Sequence, residues 1–486
     1  MRYYAPFYVN DLVHNDHIKG VFAVKNREQY KRLIKFIASA VLIATQTAIF
    51  YFVWFHYYHL SGANFFVRGN YVIIAQYALL LFCFNKIYGG FKIGYLRIFE
   101  ILFSQVLAVL CVNGITYLQL CLIGRWTFLS NILPIVLMTA VELALVVVWV
   151  FVTHKLMIWL YPAKRMVLVY GEYGPDGLAK KIRTREDNYR ICEYVSCEQD
   201  IDVIKETILK YHCALLTDIP SGIRNELLKF CFEQDVRCYC VPKISDIMVV
   251  SAANINQFDT SLLLMRNQGL FVDQQIAKRI FDVLLSLLLI VLTSPFMLVI
   301  ALAIKLCDRG PVFFKQERLT EGGKVFKVLK FRSMYMRAPD KVYTLTRKGD
   351  PRVTPVGKII RRLHLDELPQ LFNILKGEMS FVGPRPECPA IAEDYCKVVP
   401  EFNYRLKVKA GLTGYAQVYG KYNTTPYDKL KLDLIYIENY TFLLDLKLIA
   451  LTFKVIFHPD NTEGIENWQT TAAVTQPTEE QEGVEV

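Results

Sequence analysis

The chain has 486 residues, of which 53% are hydrophobic, and it carries a formal net charge of +11. This length allows about three domains, and the hydrophobic content is high for a soluble protein. The stretch from Asn461 onward contains six Glu and no Lys or Arg, so the rest of the chain carries about +17. Such a charge suits anionic lipid headgroups and phosphorylated substrates, and no nucleic-acid-binding motif accompanies it. The twelve scattered Cys form no CxxC pair, which favours reduced thiols in a cytosol-facing protein over a zinc site.

Four apolar segments each approach the ~20 residues that a helix needs to cross a bilayer. They predict a four-helix transmembrane region over residues 33–155, after a cytoplasmic N-terminal segment over 1–32. Cations concentrate in the second connection and after the fourth segment, so the positive-inside rule places both ends in the cytoplasm. Glu142, in the fourth segment, is either a functional intramembrane acid or a side chain that faces a neighbouring helix. The four segments lie near residues 34–59, 71–88, 97–122 and 128–153.

Residues 160–268 predict a small Rossmann-like module in the cytoplasm. MVLVYGEYGPDGLAKKI is typical of a strand, a glycine turn and a helix; CALLTDIP and VRCYCVP indicate strands on either side of the helix SGIRNELLKFCFEQD. This alternation predicts a parallel sheet with helices on its faces. Gly171, Gly174 and Gly177 do not match the G-x-G-x-x-G spacing, so nucleotide binding and a structural or regulatory role both stay open.

Residues 283–304 contain no charge and are long enough to cross a membrane, yet Lys and Arg flank both ends. Pro295 removes a helical hydrogen bond, and the Ser294 hydroxyl can bond the carbonyl that is freed. We therefore expect a helix–break–helix over 280–305 that enters one leaflet and returns. The alternative is a kinked fifth span.

Two adjacent carboxylates, Asp366 and Glu367, lie between Arg361 and Arg385 in RRLHLDELPQLFNILKGEMSFVGPRPE. Because proline is tolerated in the first turn of a helix, Pro369 predicts a helix that begins near Asp366, with that carboxylate as its N-cap. Arg385 stands between two prolines, whose stiff backbone suits two-point binding of phosphate oxygens. For the acid pair alone, an N-capped helix with surface arginines is the alternative. Further candidate phosphate ligands are Lys330, Arg332 and Arg352.

The segment LDELPQLFNILKGEMSFVGPRPE resembles the catalytic core of the monotopic phosphoglycosyl transferases, which start bacterial exopolysaccharide and capsule chains. The resemblance extends over roughly 277–457, through KRIFDVLLSLLLIVLTSPFMLVIALAIKL, GPVFFKQERLT, FKVLKFRSM, DPRVTPVGKIIRRL and AGLTGYAQVYGK. Larger members of that family carry a four-helix membrane region and a Rossmann-like module. The expected fold class is therefore membrane α plus α/β, with a re-entrant-helix catalytic domain over 276–460 and a disordered acidic tail over 461–486.

The resemblance implies transfer of a sugar 1-phosphate from a UDP-sugar, with glucose or galactose leading, to polyprenyl (undecaprenyl) phosphate, with release of UMP. It implies Asp366 as nucleophile and ligand of Mg²⁺, Glu367 for positioning or proton handling, and Arg361 and Arg385 as phosphate ligands. A helix N-terminus and nearby arginines would keep Asp366 ionised. The expected location is the bacterial inner membrane, with the catalytic domain on its cytoplasmic face. Expected partners are membrane lipids, both phosphate substrates and, as an open alternative, a second copy of the chain.

Other functions explain the pattern less well. A non-catalytic scaffold would not need the acid pair or the arginine of the Pro-Arg-Pro motif, and both are intact; a transporter needs more acids in its spans than Glu142. The chain departs from the family at Lys409 and Lys421, where an arginine is common, so the donor contacts there lose a planar bidentate group. Residues 443–457 favour an amphipathic helix at the membrane interface or, equally, a core helix.

Overall fold

The computed structural model describes residues 29–58, 67–124, 126, 129, 131–171, 174–211, 213–257, 259–265, 268–335, 352–420 and 424–456. Most of the predicted segment 1–32, the tail 461–486 and Lys421 lie outside these residues. The chain divides into two compact units, Met1–Val241 and Pro242–Val486. Ile244 and Ile247 pack in the core of the second unit. The expected domain boundary near residue 268 stays a prediction.

The described part of the first unit opens with four long helices, and they confirm the four predicted apolar segments as helices. Their outer surfaces carry exposed large apolar side chains, such as Phe99, Leu133 and Val148, which suits contact with lipid. Two buried apolar clusters, one around Phe50 and one around Leu42, hold the bundle together. The helices are α1 (Lys31–Val53, continued by the π turn Trp54–Tyr58), α2 (Val67–Tyr88), α3 (Ile98–Ile123) and α4 (Leu133–Leu160).

The predicted parallel-sheet module follows α4, with its four strands in the order β2-β1-β3-β4. Along β1 the side chains alternate: Val167 and Val169 pack under one layer of helices, and Met166 and Leu168 pack under the other. Gly171 follows β1, and a Cβ there would lie 2.0 Å from the carbonyl oxygen of Asp218, so the backbones that follow β1 and β3 touch. The elements are β1 (Lys164–Tyr170), α5 (Asp176–Arg183), β2 (Tyr189–Ser196), α6 (Ile201–Leu209), β3 (Cys213–Thr217), α7 (Ser221–Glu233) and β4 (Arg237–Cys240).

The module contacts the connection between α2 and α3. The Arg185 guanidinium pairs with Asp187 at 3.0 Å and donates to the carbonyl oxygen of Tyr95. Arg97 donates to the carbonyl oxygen of Thr184 at 3.4 Å. The predicted cytoplasmic connection therefore lies on the same side of the bundle as the module.

The second unit packs short helices and strand pairs around one main core, which includes Leu371, Ile374, Phe381 and Tyr436. Its elements up to the acid pair are α8 (Ile244–Val250), β5 (Ala253–Gln257), β6 (Thr260–Leu264), α9 (Val272–Asp308), β7 (Phe313–Leu319), β8 (Val325–Phe331) and α10 (Pro355–Arg362). After the pair come α11 (Gln370–Lys376), β9 (Ser380–Val382), α12 (Pro389–Val398), β10 (Gly411–Thr413), α13 (Tyr415–Tyr419), α14 (Pro426–Glu438) and α15 (Phe442–Ile456).

The expected break at Ser294 and Pro295 is not a loop, because α9 is one helix with Pro295 inside it. Proline has no N–H, so the carbonyl four residues before it, that of Val291, loses its helical donor. The Ser294 hydroxyl donates to this carbonyl oxygen at 2.8 Å, as expected from the sequence. The hydroxyl therefore compensates the missing bond while the helix continues.

The basic residues at the start of α9 bind protein groups. Lys278 is buried, and its Nζ lies 2.5 Å from Asp445 Oδ2 in α15. Arg279 donates to the carbonyl oxygens of Ile374 and Leu375, at 2.6 and 2.7 Å, at the end of α11. These bonds fix the start of the apolar helix to the second unit.

Helix α15 combines the two alternatives left open for residues 443–457. Leu448 and Leu451 are buried in the unit, whereas Leu443 and Phe453 are exposed. One face therefore belongs to the core, and the other offers large apolar side chains to its surroundings.

Candidate active site

The acid pair lies in a tight turn, not at the start of an α-helix. Leu365–Glu367 form a 3₁₀ turn, and His364 before it has a left-handed backbone with φ of 54°. The α-helix begins only at Gln370, so the prediction that Asp366 caps it is wrong. Bonds of the i→i+3 type run through the region, from Leu368 N to the Leu365 carbonyl oxygen at 3.3 Å and from Leu371 N to the Leu368 carbonyl oxygen at 3.1 Å. These tighter bonds replace the α-helical pattern around a proline that has no donor.

The turn is anchored by apolar contacts on both sides of the acids. Leu365 and Leu368 pack in a cluster with Phe331 at the end of β8 and with Ile300 and Ile304 from the second half of α9. Within α11, Leu371 and Ile374 instead face the main core. The turn that carries the acid pair therefore packs on one core, and the helix of seven residues that follows it packs on the other.

Glu367 is the centre of an ion-pair cluster. Its Oε1 lies 2.7 Å from Lys330 Nζ and 3.3 Å from Arg385 Nη2. Burial alone would raise the pKa of Glu367, but Lys330 and Arg385 lower that pKa well below its ordinary range. Glu367 is therefore a permanent anion that holds two cations beside Asp366.

Asp366 has a different environment. Among the residues that the structure describes, it forms no hydrogen bond or ion pair. Burial and the adjacent Glu367 anion raise the pKa of Asp366 above its ordinary value, against the opposing effect of Lys330 and Arg361. The turn supplies no helix N-terminus, so of the groups expected to keep Asp366 ionised only the nearby cations remain, and burial and the Glu367 anion oppose them.

Arg385 lies in a segment whose carbonyl oxygens are all hydrogen-bonded. Each carbonyl oxygen of the Pro384–Glu387 segment accepts a hydrogen bond from another part of the unit. The donors are Gly411 N to Pro384 at 3.0 Å, Arg405 Nη2 to Arg385 at 2.9 Å, Arg318 Nη1 to Pro386 at 2.9 Å and Leu319 N to Glu387 at 2.9 Å. The Arg385 side chain remains 44% exposed. The stiffness predicted from two prolines is thus reinforced by four long-range bonds, while the guanidinium stays accessible.

A second charged cluster lies behind this segment, and sequence reasoning missed it. The Glu387 carboxylate contacts Lys429 and lies 3.5 Å from Arg405 and 3.9 Å from Arg318. Although burial opposes this, Lys429 and Arg405 lower the pKa of Glu387 to about 2. Arg405 also pairs with the buried Asp433 at 2.8 Å. Only the position of Glu387, directly after the Pro-Arg-Pro motif, offered a signal in the sequence.

The remaining predicted phosphate ligands are placed differently. Arg361 lies in the last turn of α10 and acts electrostatically on Asp366. Arg332 is buried, and its guanidinium lies so close to Gly310 that a Cβ there would be 2.0 Å from Nη1. The carbonyl oxygen of Arg352 accepts from Tyr335 N at 2.9 Å. The structure therefore gathers Lys330, Arg361 and Arg385 around the acids and places the Arg332 guanidinium against the connection between α9 and β7.

Comparison with known proteins shows which family contains these site residues. The signature of the family described as bacterial sugar transferase matches residues 273–459, which include all the site residues above. The UDP-glucose:undecaprenyl-phosphate glucose-1-phosphate transferase of Caulobacter vibrioides (strain ATCC 19089 / CIP 103742 / CB 15) is 39% identical over 209 residues, 42% of this chain and 78% of the relative. The chain belongs to the bacterial sugar transferase family.

Other members of this bacterial sugar transferase family match a smaller part of their own length. The enzyme of Escherichia coli (strain K12) with the same name is 44% identical over 183 residues, 37% of this chain and 39% of the relative. An N-acetylgalactosamine phosphotransferase of Aeromonas hydrophila, which acts on undecaprenyl phosphate by its name, is 41% identical over 247 residues, 50% of this chain and 57% of the relative. The chain thus spans about two fifths to three fifths of these two relatives.

The acid pair of this family member offers a carboxylate that could bind Mg²⁺. Among the described residues, no group of three or more His, Cys, Asp or Glu could hold a metal ion. Mg²⁺, however, commonly binds one or two carboxylates and completes its shell with water and substrate phosphates. Asp366 has no ion-pair partner among the residues that the structure describes, so it fits that mode, whereas Glu367 is occupied by Lys330 and Arg385.

Proposed function

We propose that the protein transfers a sugar 1-phosphate from a UDP-sugar to undecaprenyl phosphate and releases UMP, as the first membrane step of exopolysaccharide or capsule synthesis. The observation that carries this proposal is one acid, Asp366, without an ion-pair partner among the described residues, beside three cations. Lys330 and Arg385 are held by Glu367, and Arg361 acts on Asp366 from α10. Both substrates are phosphorylated anions, which such a group of cations attracts. The names of the relatives support the same reaction.

The donor phosphates would bind to groups with hydrogen-bond donors to spare. An arginine has five N–H donors, and only Nη2 of Arg385 contacts Glu367 among the described residues. Lys330 has three donors, one of which bonds Glu367. The segment behind Arg385 fixes the direction of its guanidinium, so little ordering is needed when the donor binds.

We infer a covalent route through Asp366. Its carboxylate oxygen attacks the phosphorus that bears the sugar, and the pyrophosphate P–O bond breaks, so that UMP leaves with the electron pair. A phosphate oxygen of undecaprenyl phosphate then attacks the same phosphorus and releases the Asp366 carboxylate. The attack requires ionised Asp366, and the cations beside it stabilise that form. When bound, Mg²⁺ would neutralise the phosphate charge next to Asp366.

We also propose that α9 is a re-entrant helix and that four helices, α1–α4, cross the membrane. By length and composition five helices of the described chain could span a bilayer, and α9 is one of them. Both halves of α9 nevertheless pack on the same unit. Arg279 bonds the end of α11, and Ile300 and Ile304 share a cluster with residues just before and within it. A helix of seven residues is only about 10 Å long, so both halves return to one small region.

This topology would keep the acid pair on the cytoplasmic face of the inner membrane, on the side of the cytoplasmic nucleotide sugars. The exposed apolar face of α15 would lie at the membrane interface. Glucose and galactose are the proposed sugars. Binding of Mg²⁺ and pairing with a second copy of the chain stay predictions.

The test is a panel of UDP-sugars incubated with the purified full-length protein in lipid, with UMP release as the measured product. Without acceptor we expect a burst of UMP no larger than the enzyme concentration, together with protein labelled by the sugar. Asp366→Asn should abolish both, because an amide is a poor nucleophile. UMP that appears only after undecaprenyl phosphate is added would favour direct transfer; no UMP from any donor would refute the function.

A further inference from the structure

A closed group of polar side chains lies inside the membrane bundle, far in sequence from the acid pair. Glu142 of α4 is fully buried, with an exposed fraction of 0%. The Tyr77 hydroxyl oxygen of α2 lies 2.7 Å from Glu142 Oε1 and 2.8 Å from Asn113 Oδ1 of α3. Asn113 Nδ2 donates to Glu142 Oε2 at 2.8 Å and to Thr139 Oγ1 at 2.9 Å. The group therefore connects three helices.

The number of protons available to this group decides the protonation state of Glu142. A tyrosine hydroxyl has one proton to donate. If Glu142 were ionised, Tyr77 would face two acceptor oxygens with that single proton, and one close oxygen–oxygen contact would contain none. If Oε1 carries a proton, Glu142 donates to Tyr77 and Tyr77 donates to Asn113. Thr139 then donates to the carbonyl oxygen of Ile135 at 2.7 Å, and every contact has one proton.

The result does not depend on which way the Asn113 amide points. With oxygen and nitrogen exchanged, the amide nitrogen would donate to Tyr77, and the amide oxygen would face Glu142 Oε2. Two oxygens would then meet without a proton unless Glu142 supplied one. Both orientations therefore require a neutral carboxylic acid.

The surroundings of Glu142 offer nothing that would stabilise a negative charge. Tyr77 faces it from α2, Asn113 from α3 and Thr139 from its own helix, and Tyr77 is the one titratable group among them. One turn away on either side, Met138 and Val146 belong to buried apolar clusters. Among the described residues of α1–α4, no other Asp, Glu, Lys, Arg or His is buried. An unpaired carboxylate inside a membrane is strongly unfavourable.

We propose that Glu142 is a proton-binding site: it is held as a neutral acid whose proton closes a hydrogen-bonded ring joining α2, α3 and α4. Loss of the proton leaves Tyr77 with one proton between two acceptor oxygens, so one of the two contacts that join α2 to α3 and α4 is lost. The proton thus acts as a structural ligand of the membrane bundle, independent of sugar transfer.

The direct test is infrared difference spectroscopy of the full-length protein in lipid, wild type minus Glu142→Gln. We expect the variant to lose one carbonyl band of a protonated carboxylic acid, a band that shifts in D₂O. Glu100→Gln, a substitution in the first turn of α3 where the carboxylate accepts from Arg97 N, is the matched control and should lose only an ionised carboxylate band. If Glu142→Gln also removes only an ionised carboxylate band, the proposal is wrong.

Tyr77→Phe gives a second measurement, the frequency of the acid band, which would not change if Glu142 had a purely structural role. The phenyl ring leaves the Glu142 proton without its acceptor, so the acid band should shift to higher frequency while its intensity remains. An unchanged band would overturn the ring. For stability, Glu142→Gln should keep Tm near that of wild type, since an amide both donates and accepts, and Glu142→Ala should lower it. If the glutamine variant does not fold, wild-type protein with ¹³C-labelled glutamate carboxyl groups must show the acid band.

Discussion

The Arg405 guanidinium donates from Nη2 to the main-chain carbonyl oxygen of Arg385 at 2.9 Å. The same guanidinium pairs with Asp433 and Glu387, so its own position is fixed from two sides. The main chain of Arg385 is therefore fixed independently of how its side chain packs, and the side chain can point at the acid pair. The two arginines have separate roles: one contacts the site, and the other positions it.

This relationship predicts that Arg405→Lys weakens donor use although it retains the charge. A lysine cannot bond the Arg385 carbonyl and both carboxylates with one planar group. We expect kcat/KM for the UDP-sugar to fall about 10-fold or more, chiefly through KM.

The control is Lys397→Arg, because Lys397 and its partner Asp394 form an exposed ion pair. A double-mutant cycle of Arg405→Lys with Arg385→Met separates positioning from stability. If Arg405 acts through Arg385, the two losses will not add. Fully additive losses would contradict the positioning role.

A second prediction concerns the pH dependence of the first chemical step. The Glu367 anion raises the pKa of Asp366, so Glu367→Gln should lower it. The acid limb of the kcat/KM profile, where Asp366 must lose a proton, should then move to lower pH. At the optimum, kcat/KM should fall about 100-fold, because Lys330 and Arg385 lose the partner that positions them.

Glu367→Asp retains the charge and is the control for this prediction, since its acid limb should stay close to that of wild type. An acid limb that moves to higher pH in Glu367→Gln would show that the anion does not act on Asp366 as described.

A third prediction is that Glu387 stabilises the second unit in a pH-dependent way. The folded pKa of Glu387 is about 2, below its ordinary value of 4.5. A lowered acid pKa contributes stability above the unfolded value, and this stability is lost as pH falls towards the folded value. Glu387→Gln should therefore lower the unfolding free energy by about 3 kcal/mol at neutral pH, the size expected when a buried ion-pair partner is removed.

The measurement is Tm of both proteins between neutral pH and pH 2. Their difference should shrink below about pH 4. Glu393→Gln, an exposed substitution in α12, should leave Tm unchanged. A difference that stays constant down to pH 2 would rule out the Glu387 ion pairs as its source.

The fourth prediction addresses the topology of α9. Single cysteines introduced near Gln274 and near Glu321 in a Cys-depleted protein should both label from the cytoplasmic side. Pro295→Leu restores an unbroken helical bond pattern and should favour a full crossing, which moves the second position outside. Ser294→Ala retains the proline and should keep the original labelling. Outside labelling of Glu321→Cys with Pro295 intact would make α9 a fifth span.

Local patterns in the sequence predicted most of the elements and the family. The four apolar helices, the strands and helices of the parallel-sheet module and the bond from Ser294 depend on local spacing, and the structure confirms them. The expected break at Pro295 lies instead inside one helix. The start of α11 was placed too early because the pattern shows that Pro369 fits a first turn but does not show the i→i+3 bonds that precede it. Propensity describes which conformations are allowed, and packing of the turn between two cores selects one.

The pairing of charges was decided by the tertiary structure alone. Residue spacing does not show which of Asp366 and Glu367 is ion-paired; in the fold, Lys330 and Arg385 both bind Glu367 and leave Asp366 without an ion pair among the described residues. Glu387, Arg405 and Asp433 are up to 46 positions apart, so no local pattern connects them. Electrostatic energy depends on distance and burial, neither of which is encoded in residue spacing. The sequence therefore determined which chemical groups the site contains, and the folded chain decided which of them are paired and which are exposed.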